Sequence, residues 1–409
     1  MKIHIFLILG FIGLLMASCQ EKKALEFKEI NFEFNGYDWD MPSYKFSQFI
    51  KDSIMENKGK QFAGWEYSHI GDIENMLKTW DKDMSGKREP LSNEIIEDFK
   101  KFVPKNAKEI ILGKAKETNV TIINEAHQMP QHRVFTTILL QDLYDQGYRH
   151  LGMEAYARGP KETKDAHEVG YPTLKNGFYT KEPQFGNMIR EALRIGFRIF
   201  GYEESYADGA KGREIGQAKN IKAYMEENPE GKYLIHCGFA HATEGIYGRS
   251  WEKAMAARLT EFTGINPLTV DQVKYSEKSR KDLENSHYQT TDVQEPTVFI
   301  QGDSIFGDFE EGMWMDISVF HPRTQNFNRP QWLIYGNRQE VEIDLSNIDL
   351  EKAHLVLAYK KGEKIGSAIP YDIQETQGEN VNLILGKGTY SIVLWNGTEK
   401  ALQTEIDIK

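Results

Sequence analysis

Short apolar segments alternate with longer helical segments between residues 119 and 270, and this alternation constrains the fold more than any other feature of the chain. The apolar segments are typical of buried strands, and the segments between them carry apolar residues at helical spacing. Strands that alternate with helices of about ten or more residues predict βαβ units and a parallel sheet. The expected strands are Val120–Ile123, His150–Met153, Arg198–Tyr202, Lys232–His236 and Pro267–Val270.

The pattern on either side of this region differs, and the chain of 409 residues is longer than one typical domain. Alternating segments of period two near the C-terminus, such as Val341–Leu345 and Thr389–Trp395, indicate a small β-sandwich. The predicted parts are a signal segment over 1–18, a helical region over 19–106, an α/β domain over 107–335 and a β-sandwich-like domain over 336–409. The predicted fold class is therefore α/β, with a parallel sheet flanked by helices, a helical N-terminal region and a small C-terminal β-sandwich domain.

The N-terminus carries a short basic start followed by the apolar run Ile5–Met16, which is too short to span a bilayer as a helix. This pattern is typical of a secretory signal. The string Leu-Met-Ala-Ser-Cys that ends at Cys19 resembles a bacterial lipobox, in which the cysteine becomes the lipidated first residue. A plain signal peptide with an incidental cysteine is the alternative. We therefore expect lipidation at Cys19 and a cell-envelope protein anchored to a bacterial membrane by acyl chains, with the outer membrane favoured.

Charge and cysteine content exclude two further classes of protein. Fifty basic against 61 acidic residues give a net charge of −11, and no Lys/Arg-rich run is present. The basic footprint of a nucleic-acid-binding protein is therefore missing. Two cysteines cannot form a disulfide-rich scaffold. Cys237 alternates with His236 along a strand, so we expect it to be a small buried residue that faces the opposite side.

Acidic and imidazole side chains follow each of the first four predicted strands at its C-terminal end. They are Glu125 and His127 after the first strand, Glu154 after the second, Glu203 after the third, and His241 after the fourth, which itself carries His236. In open parallel sheets, ligands bind in the crevice outside the carboxyl ends of the strands. We therefore take His127, Glu125, Glu154 and His241 as the candidate catalytic residues.

Each of these residues also has a structural interpretation. Glu125 could cap the following helix, because carboxylates favour helix N-termini, and His236 could be a satisfied core histidine. His132, Arg133 and Glu203 are candidates for substrate binding, since an arginine can orient a carboxylate by a bidentate contact. For His132 and Arg133 the alternative is pairing with acidic residues at the helix start.

The residue types leave two kinds of chemistry open. The sequence lacks the Gly-x-Ser-x-Gly elbow of α/β-hydrolases and the Gly-rich loop that binds phosphates. A cluster of glutamates and histidines can activate water through a general base. It can also bind a divalent metal, with His127, Glu154, His241 and His236 as candidate ligands.

Several short motifs together resemble a diverse superfamily of hydrolases and ligand-binding proteins. They are Asn124-Glu125-Ala126-His127, His132-Arg133, Leu151-Gly152-Met153-Glu154 and Gly238-x-x-His241, spread over residues 107–275. The superfamily includes erythromycin esterase-like hydrolases, ChaN-like haem-uptake lipoproteins and the Tiki/TraB metalloproteases. The esterase-like resemblance implies that His127 activates water beside Glu125. The Tiki/TraB resemblance implies a divalent metal, although Asn124 stands where that family usually has glycine.

The sequence therefore predicts a cell-envelope lipoprotein that hydrolyses an ester or amide bond in a small-molecule or peptide substrate. The long segment from Tyr156 to Lys181 is the expected lid. The alternative is a ChaN-like uptake lipoprotein that binds haem or another ligand without turnover. Haem ligation needs an axial residue beside an apolar slot, and Tyr156, Tyr171 and Tyr179 lie near the loop after the second strand.

Overall fold

The computed structural model describes residues 25–36, 44–82, 91–156, 166–204, 208–247, 250–310, 312–348, 350, 352–378 and 380–409. The predicted signal segment and Cys19 lie outside these residues. No helix in the described part of the chain is long and apolar enough to cross a membrane.

The described strands and helices follow in chain order. The strands are β1 Lys28–Asn31, β2 Val103–Asn106, β3 Val120–Glu125, β4 Tyr148–Met153, β5 Arg198–Gly201, β6 Lys232–Gly238, β7 Glu244–Gly245, β8 Leu268–Asp271, β9 Thr297–Gln301, β10 Ser304–Ile305, β11 Asp308–Glu310, β12 Met313–Met315, β13 Ile317–Ser318, β14 Gln339–Asp344, β15 His354–Lys360, β16 Asp372–Thr376, β17 Asn380–Leu385, β18 Gly388–Trp395 and β19 Lys400–Ile408. The helices are α1 Ser47–Phe49, α2 Met55–His69, α3 Ile73–Trp80, α4 Asn93–Phe99, α5 Ala107–Ala115, α6 Pro130–Asp145, α7 Ala166–Val169, α8 Pro183–Ile195, α9 Gly209–Glu227, α10 Met255–Thr263 and α11 Ser286–Gln289.

A six-stranded parallel sheet forms the centre of the molecule, with strand order β13-β8-β3-β6-β4-β5. β3 is buried at every position, as expected of a strand covered on both faces. Helices α5, α6 and α8 share a hydrophobic core with one face of the sheet, and α9 and α10 share one with the other face. The predicted α/β fold class with a parallel sheet flanked by helices is confirmed.

The C-terminal part is rich in antiparallel strands, as the alternating pattern predicts. One sheet has the order β1-β19-β18-β15-β16, and a second pairs β14 with β17. Residues of the two sheets, such as Leu383 and Ile392, meet in one buried cluster. β1 comes from the N-terminal region, which the sequence pattern predicts to be mostly helical.

The helical N-terminal region packs against both other parts of the molecule. One hydrophobic cluster contains Met76 from α3, Leu357 from β15 and Met129 from the loop after β3. This packing brings α2 and α3 to the end of the central sheet where β3 stops. Trp65 of α2 contacts the Tyr179 ring, and Trp80 of α3 stacks on Phe239, so the N-terminal region packs against this edge of the sheet.

Candidate functional site

The sheet places the predicted acidic residues side by side. β3, β6, β4 and β5 are neighbours in that order, and they end at Glu125, Gly238, Met153 and Gly201 respectively. Glu154 directly follows β4, and Glu203 lies two residues beyond β5. Because all four strands are parallel, these side chains gather at one edge of the sheet, as the sequence pattern predicts.

A buried ion pair joins Glu125 to Arg133. The Arg133 Nε and Nη2 atoms donate to the two carboxylate oxygens of Glu125, each over 2.7 Å. Neither side chain is more than 1% exposed. Burial would raise the pKa of Glu125, but the neighbouring Arg133 and His236 hold it well below its usual range. Glu125 therefore stays a carboxylate at any physiological pH.

Arg133 lies in the first turn of α6, which begins at Pro130, a residue favoured at that position. Its remaining donors reach the Glu182 carboxylate over 3.1 Å and the His127 carbonyl over 2.7 Å. Glu182 caps α8 by accepting hydrogen bonds from the next helical N–H groups. Arg133 thus ties the starts of two helices to the end of β3.

His127 is held by Glu125 and by two aromatic rings. Its Nδ1 atom lies 3.0 Å from Glu125 Oε1, so Nδ1–H donates to the carboxylate. The imidazole stacks on Tyr179 at 4.0 Å and meets Phe239 edge-on at 5.1 Å. This hydrogen bond fixes the tautomer and leaves the lone pair on Nε2. No described residue forms a hydrogen bond with Nε2.

The turn after β6 is shaped to admit the His127 ring. A Cβ atom at Gly238 would lie 2.4 Å from His127 Nε2, so no larger residue fits there without a shift. The next residue, Phe239, has φ of 45°, which is uncommon outside glycine. Asn124 helps to hold this backbone, because its Nδ2 donates to the Phe239 carbonyl over 2.8 Å. Strained backbone of this kind clusters at functional sites.

A second carboxylate–histidine pair lies on the other side of Glu154. His241 Nδ1 is 2.8 Å from Glu214 Oε2, and the Glu214 side chain is fully buried. The His241 ring stacks on Trp251 at 4.9 Å. His241 Nε2 points toward Glu154, with 3.6 Å between Nε2 and Oε1. Glu154 therefore stands between the two oriented histidines.

Arg213 of α9 connects three of the predicted site residues. It forms a bidentate ion pair with Glu203, and its Nη2 donates to Glu154 Oε1 over 2.5 Å. Its Nη1 donates to His241 Nε2 over 3.0 Å. The Arg213 side chain is 34% exposed, whereas that of Glu154 is 6% exposed. The site thus opens to solvent at Arg213.

The groups around Glu154 lower its pKa and favour its ionised form, whereas those around His241 raise the pKa of the imidazole. Burial would raise the pKa of Glu154, but His241, His127 and Arg213 lower it to about 2. The Gly238 N–H also donates to Glu154 Oε2 over 2.6 Å. Burial acts to lower the pKa of His241, and the carboxylates of Glu154 and Glu214 more than offset this effect.

We expect the contribution of Glu154 to stability to depend on pH. Because its folded pKa of about 2 lies below its ordinary value of 4.5, ionised Glu154 stabilises the fold above pH 4.5. The difference is worth on the order of 3 kcal/mol and is lost as the pH falls from 4.5 toward 2. Urea unfolding of the wild type and of Glu154→Gln between pH 3 and 7 tests this expectation.

The difference in the free energy of unfolding between the wild type and Glu154→Gln should be largest near pH 7 and should decrease toward pH 3. Glu97→Gln on the exposed side of α4 controls for the loss of one negative charge. A gap that stays constant over the whole pH range would contradict the assignment of a charged, hydrogen-bonded Glu154.

Three other predicted residues lie away from the opening. His132 is fully buried, and its Nδ1 accepts from the Ala126 N–H over 3.0 Å. His236 is also buried, with Nε2 3.4 Å from Glu125 Oε2, and burial lowers its pKa to about 4. Arg133 is fully buried with its donors engaged. This placement does not support substrate contact by His132 or Arg133, and both instead hold the loop after β3.

Cys237 is buried on the opposite face of the sheet from His236. It belongs to the cluster shared by β6, α9 and α10, with neighbours such as Met255. This agrees with the expected packing role. Burial raises the pKa of its thiol, which makes it a poor nucleophile.

The residues proposed as metal ligands do not form a metal-binding arrangement. Within the described ranges, no group of three or more His, Cys, Asp or Glu side chains is placed to hold a metal ion. The Arg213 guanidinium lies among Glu154, Glu203 and His241, where a cation would otherwise be bound. His127 and His236 are both turned toward Glu125, which Arg133 already neutralises. The donor set therefore does not fit a divalent metal.

The described residues of the predicted lid form hydrogen bonds with other parts of the chain. Leu174 N donates to the Ser367 carbonyl, and Thr173 pairs with Ala368, so this segment joins the C-terminal part. Tyr156 and Tyr171 accept hydrogen bonds through their hydroxyls from Ala166 N and Lys364 N. Tyr179 instead covers the His127 ring. Residues 157–165 of the loop lie outside the described residues.

Sequence reasoning missed several residues that complete the site. Arg213 and Glu214 lie on α9, which follows the third strand, and no sequence motif distinguishes them from surface residues of that helix. Tyr179 lies within the expected lid, where the sequence suggests it only as a haem ligand. The charges of Arg213 and Glu214, and their place on the helix that follows Glu203, are the signals that could have suggested them.

The architecture and site define a mixed α/β protein with two oriented carboxylate–histidine pairs at the edge of a parallel sheet. No protein-family profile matches the chain, and no curated protein matches it. Among solved structures, the chain is similar to the type III effector HopBA1, with 13% identity and a TM-score of 0.33, covering 54% of this chain and 97% of that one. Two structures described as bacterial protein toxins match with 16% and 15% identity and a TM-score of 0.30 each. They cover 53% and 61% of this chain and 46% and 48% of their own.

Proposed function

We propose that this chain is a cell-envelope lipoprotein whose α/β part hydrolyses an ester or amide bond by general-base catalysis, in the manner of erythromycin esterase-like proteins. The observation that carries the proposal is the buried Arg133–Glu125–His127 arrangement at the carboxyl edge of the sheet. A carboxylate that orients a histidine through Nδ1 and leaves Nε2 as a base is a recurring hydrolytic device.

In this proposal, His127 Nε2 takes a proton from a water molecule while the water oxygen bonds to the substrate carbonyl carbon. The carbonyl oxygen becomes an oxyanion, and in this proposal the partly exposed Arg213 guanidinium donates a hydrogen bond to it. The intermediate then breaks the bond to the leaving group, which receives the proton from Nε2. Glu125 remains ionised throughout, because Arg133 keeps its pKa low.

The other predicted residues act by position in this proposal. Glu154 holds Arg213 and the Gly238 N–H, and the Glu214–His241 pair fixes the opposite side of the guanidinium. Lipidation at Cys19 would place the site in the cell envelope, where its substrate is a small molecule or a peptide. No step in this route requires a metal.

A hydrolysis panel on the full-length purified chain tests the function. Chromogenic carboxylic esters and amino-acid anilides are supplied with and without EDTA, and the product is followed by absorbance. We expect turnover of at least one ester or amide that EDTA leaves unchanged. Turnover abolished by EDTA, or a Soret shift on adding haem with no turnover of any substrate, would overturn the proposal.

A further inference from the structure

A cavity of about 1020 Å³ lies between the start of the C-terminal β part and the helices α6 and α8, away from His127. Its described lining has six basic side chains, namely Lys108, Arg190, Arg194, Arg338, Lys360 and Lys387, against the two acidic residues Glu191 and Glu363. The full chain carries a net charge of −11. A basic cavity in an acidic protein is an electrostatic feature that attracts anions.

Half of these cations are neutralised by neighbouring carboxylates. Arg190 makes a bidentate pair with Glu363, with 2.7 Å from Nε to Oε1. Arg194 pairs with Glu191, and Lys108 pairs with Asp142 over 2.7 Å. Arg338, Lys360 and Lys387 form no ion pair with a described residue. The positive charge that a ligand could neutralise therefore belongs to these three.

Arg338 is the most buried of the three, with 8% of its surface exposed. Its Nη1 donates to the neutral Gln184 Oε1 over 2.7 Å, and its guanidinium lies over the rings of Tyr335 and Tyr371. The carboxylate that influences it, Asp372, is already paired with Arg329. A buried guanidinium without its own counterion is costly unless another anion compensates it.

Lys360 lies against the same tyrosine ring. Its Nζ atom is 5.2 Å from the Tyr371 centroid, and the Arg338 Cζ atom is 4.8 Å from it. Burial, and then the neighbouring Arg190 and Arg338, lower the pKa of the Lys360 ammonium. The two unpaired cations are thus close enough to bind one ligand together.

We propose that this cavity binds a small organic anion that carries at least two carboxylate or phosphate groups, held by Arg338 and Lys360. Arg338 provides planar donors that suit either group, and Lys360 provides a point charge beside it. The volume is in the range of small-molecule sites. The site is independent of the proposed hydrolase, because none of the residues that orient His127 or Arg213 lines it.

Isothermal titration calorimetry on the full-length chain tests the site, with citrate and pyrophosphate as the probes. We expect at least one of them to bind with a dissociation constant below 1 mM at low salt, and Lys360→Gln to weaken that binding by about tenfold or more. Arg338→Gln should weaken it further. Binding of citrate alone or of pyrophosphate alone would identify the carboxylate or the phosphate as the preferred group.

Lys361→Gln is the matched control, because the adjacent Lys361 is exposed and pairs with Glu405. It should bind the anion as the wild type does. Lys360 is only partly buried, so its variant should fold even if Arg338→Gln does not. Absence of binding by either probe at 10 mM, or equal binding by Lys360→Gln and the wild type, would overturn the proposal.

Discussion

His127→Ala is expected to lower kcat for the best ester or amide substrate by roughly 10²–10⁴-fold while leaving the protein folded. The imidazole is the one group at this edge whose Nδ1 is bound to a buried carboxylate and whose Nε2 no described residue binds. Removal of the ring takes away the base but leaves the Arg133–Glu125 pair intact. Steady-state kinetics, with circular dichroism and thermal melting on the same samples, measure the effect.

Two further variants separate the loss of the base from other causes. His127→Asn retains an amide that can donate to Glu125 but has no basic nitrogen, so it should be as inactive as His127→Ala. His287→Ala removes a half-buried histidine on α11, far from the sheet edge, and should retain activity. Full activity in His127→Ala would show that the proposed base is wrong.

Gly238→Ala offers an independent approach to the same residue. The added Cβ would lie 2.3 Å from His127 Cε1, so the ring must move away from its present position. Activity should therefore fall although every charged group of the site is retained. This result would link catalysis to the position of the His127 ring and not only to its presence.

The sequence predicts the edge of the sheet well because parallel strands bring their C-terminal residues together. Glu125, Glu154 and His241 lie at neighbouring strand ends, as their spacing along the chain indicates. The sequence leaves pairing of Arg133 with acidic residues open as an alternative, but it does not give all the partners, since these include side chains from elements far apart in the chain. Glu125 and Arg133 are eight residues apart, but Arg133 also reaches Glu182, 49 residues away.

Arg213 shows why the metal alternative could not be decided from sequence. The same glutamates and histidine that suit a metal also suit a guanidinium, and only the packing of α9 shows that Arg213 is directed at them. β1 gives a similar lesson for the fold. A four-residue strand carries too little periodicity to be recognised, and its pairing with β19 is what makes it a strand.

Arg133→Met is expected to lower the free energy of unfolding by about 3–5 kcal/mol, because it leaves a buried carboxylate without its counterion. Glu125 is 1% exposed and Glu182 is 2% exposed, so water cannot replace the guanidinium at either oxygen pair. Methionine fills a similar volume, which limits the contribution of a cavity to the loss. Urea unfolding followed by circular dichroism gives the measurement.

The pH dependence of this loss distinguishes an uncompensated charge from a simple packing defect. Without Arg133, burial raises the folded pKa of Glu125 above its unfolded value, so the variant should lose stability as the pH rises and approach the wild type below about pH 5. Adding Glu125→Gln to Arg133→Met should recover part of the stability at pH 7. Arg194→Met removes an arginine whose side chain is 61% exposed and should change stability by less than about 1 kcal/mol. A pH-independent loss with no recovery in the double variant would mean that Arg133 acts by packing, and that Glu125 needs no buried cation to stay ionised beside His127.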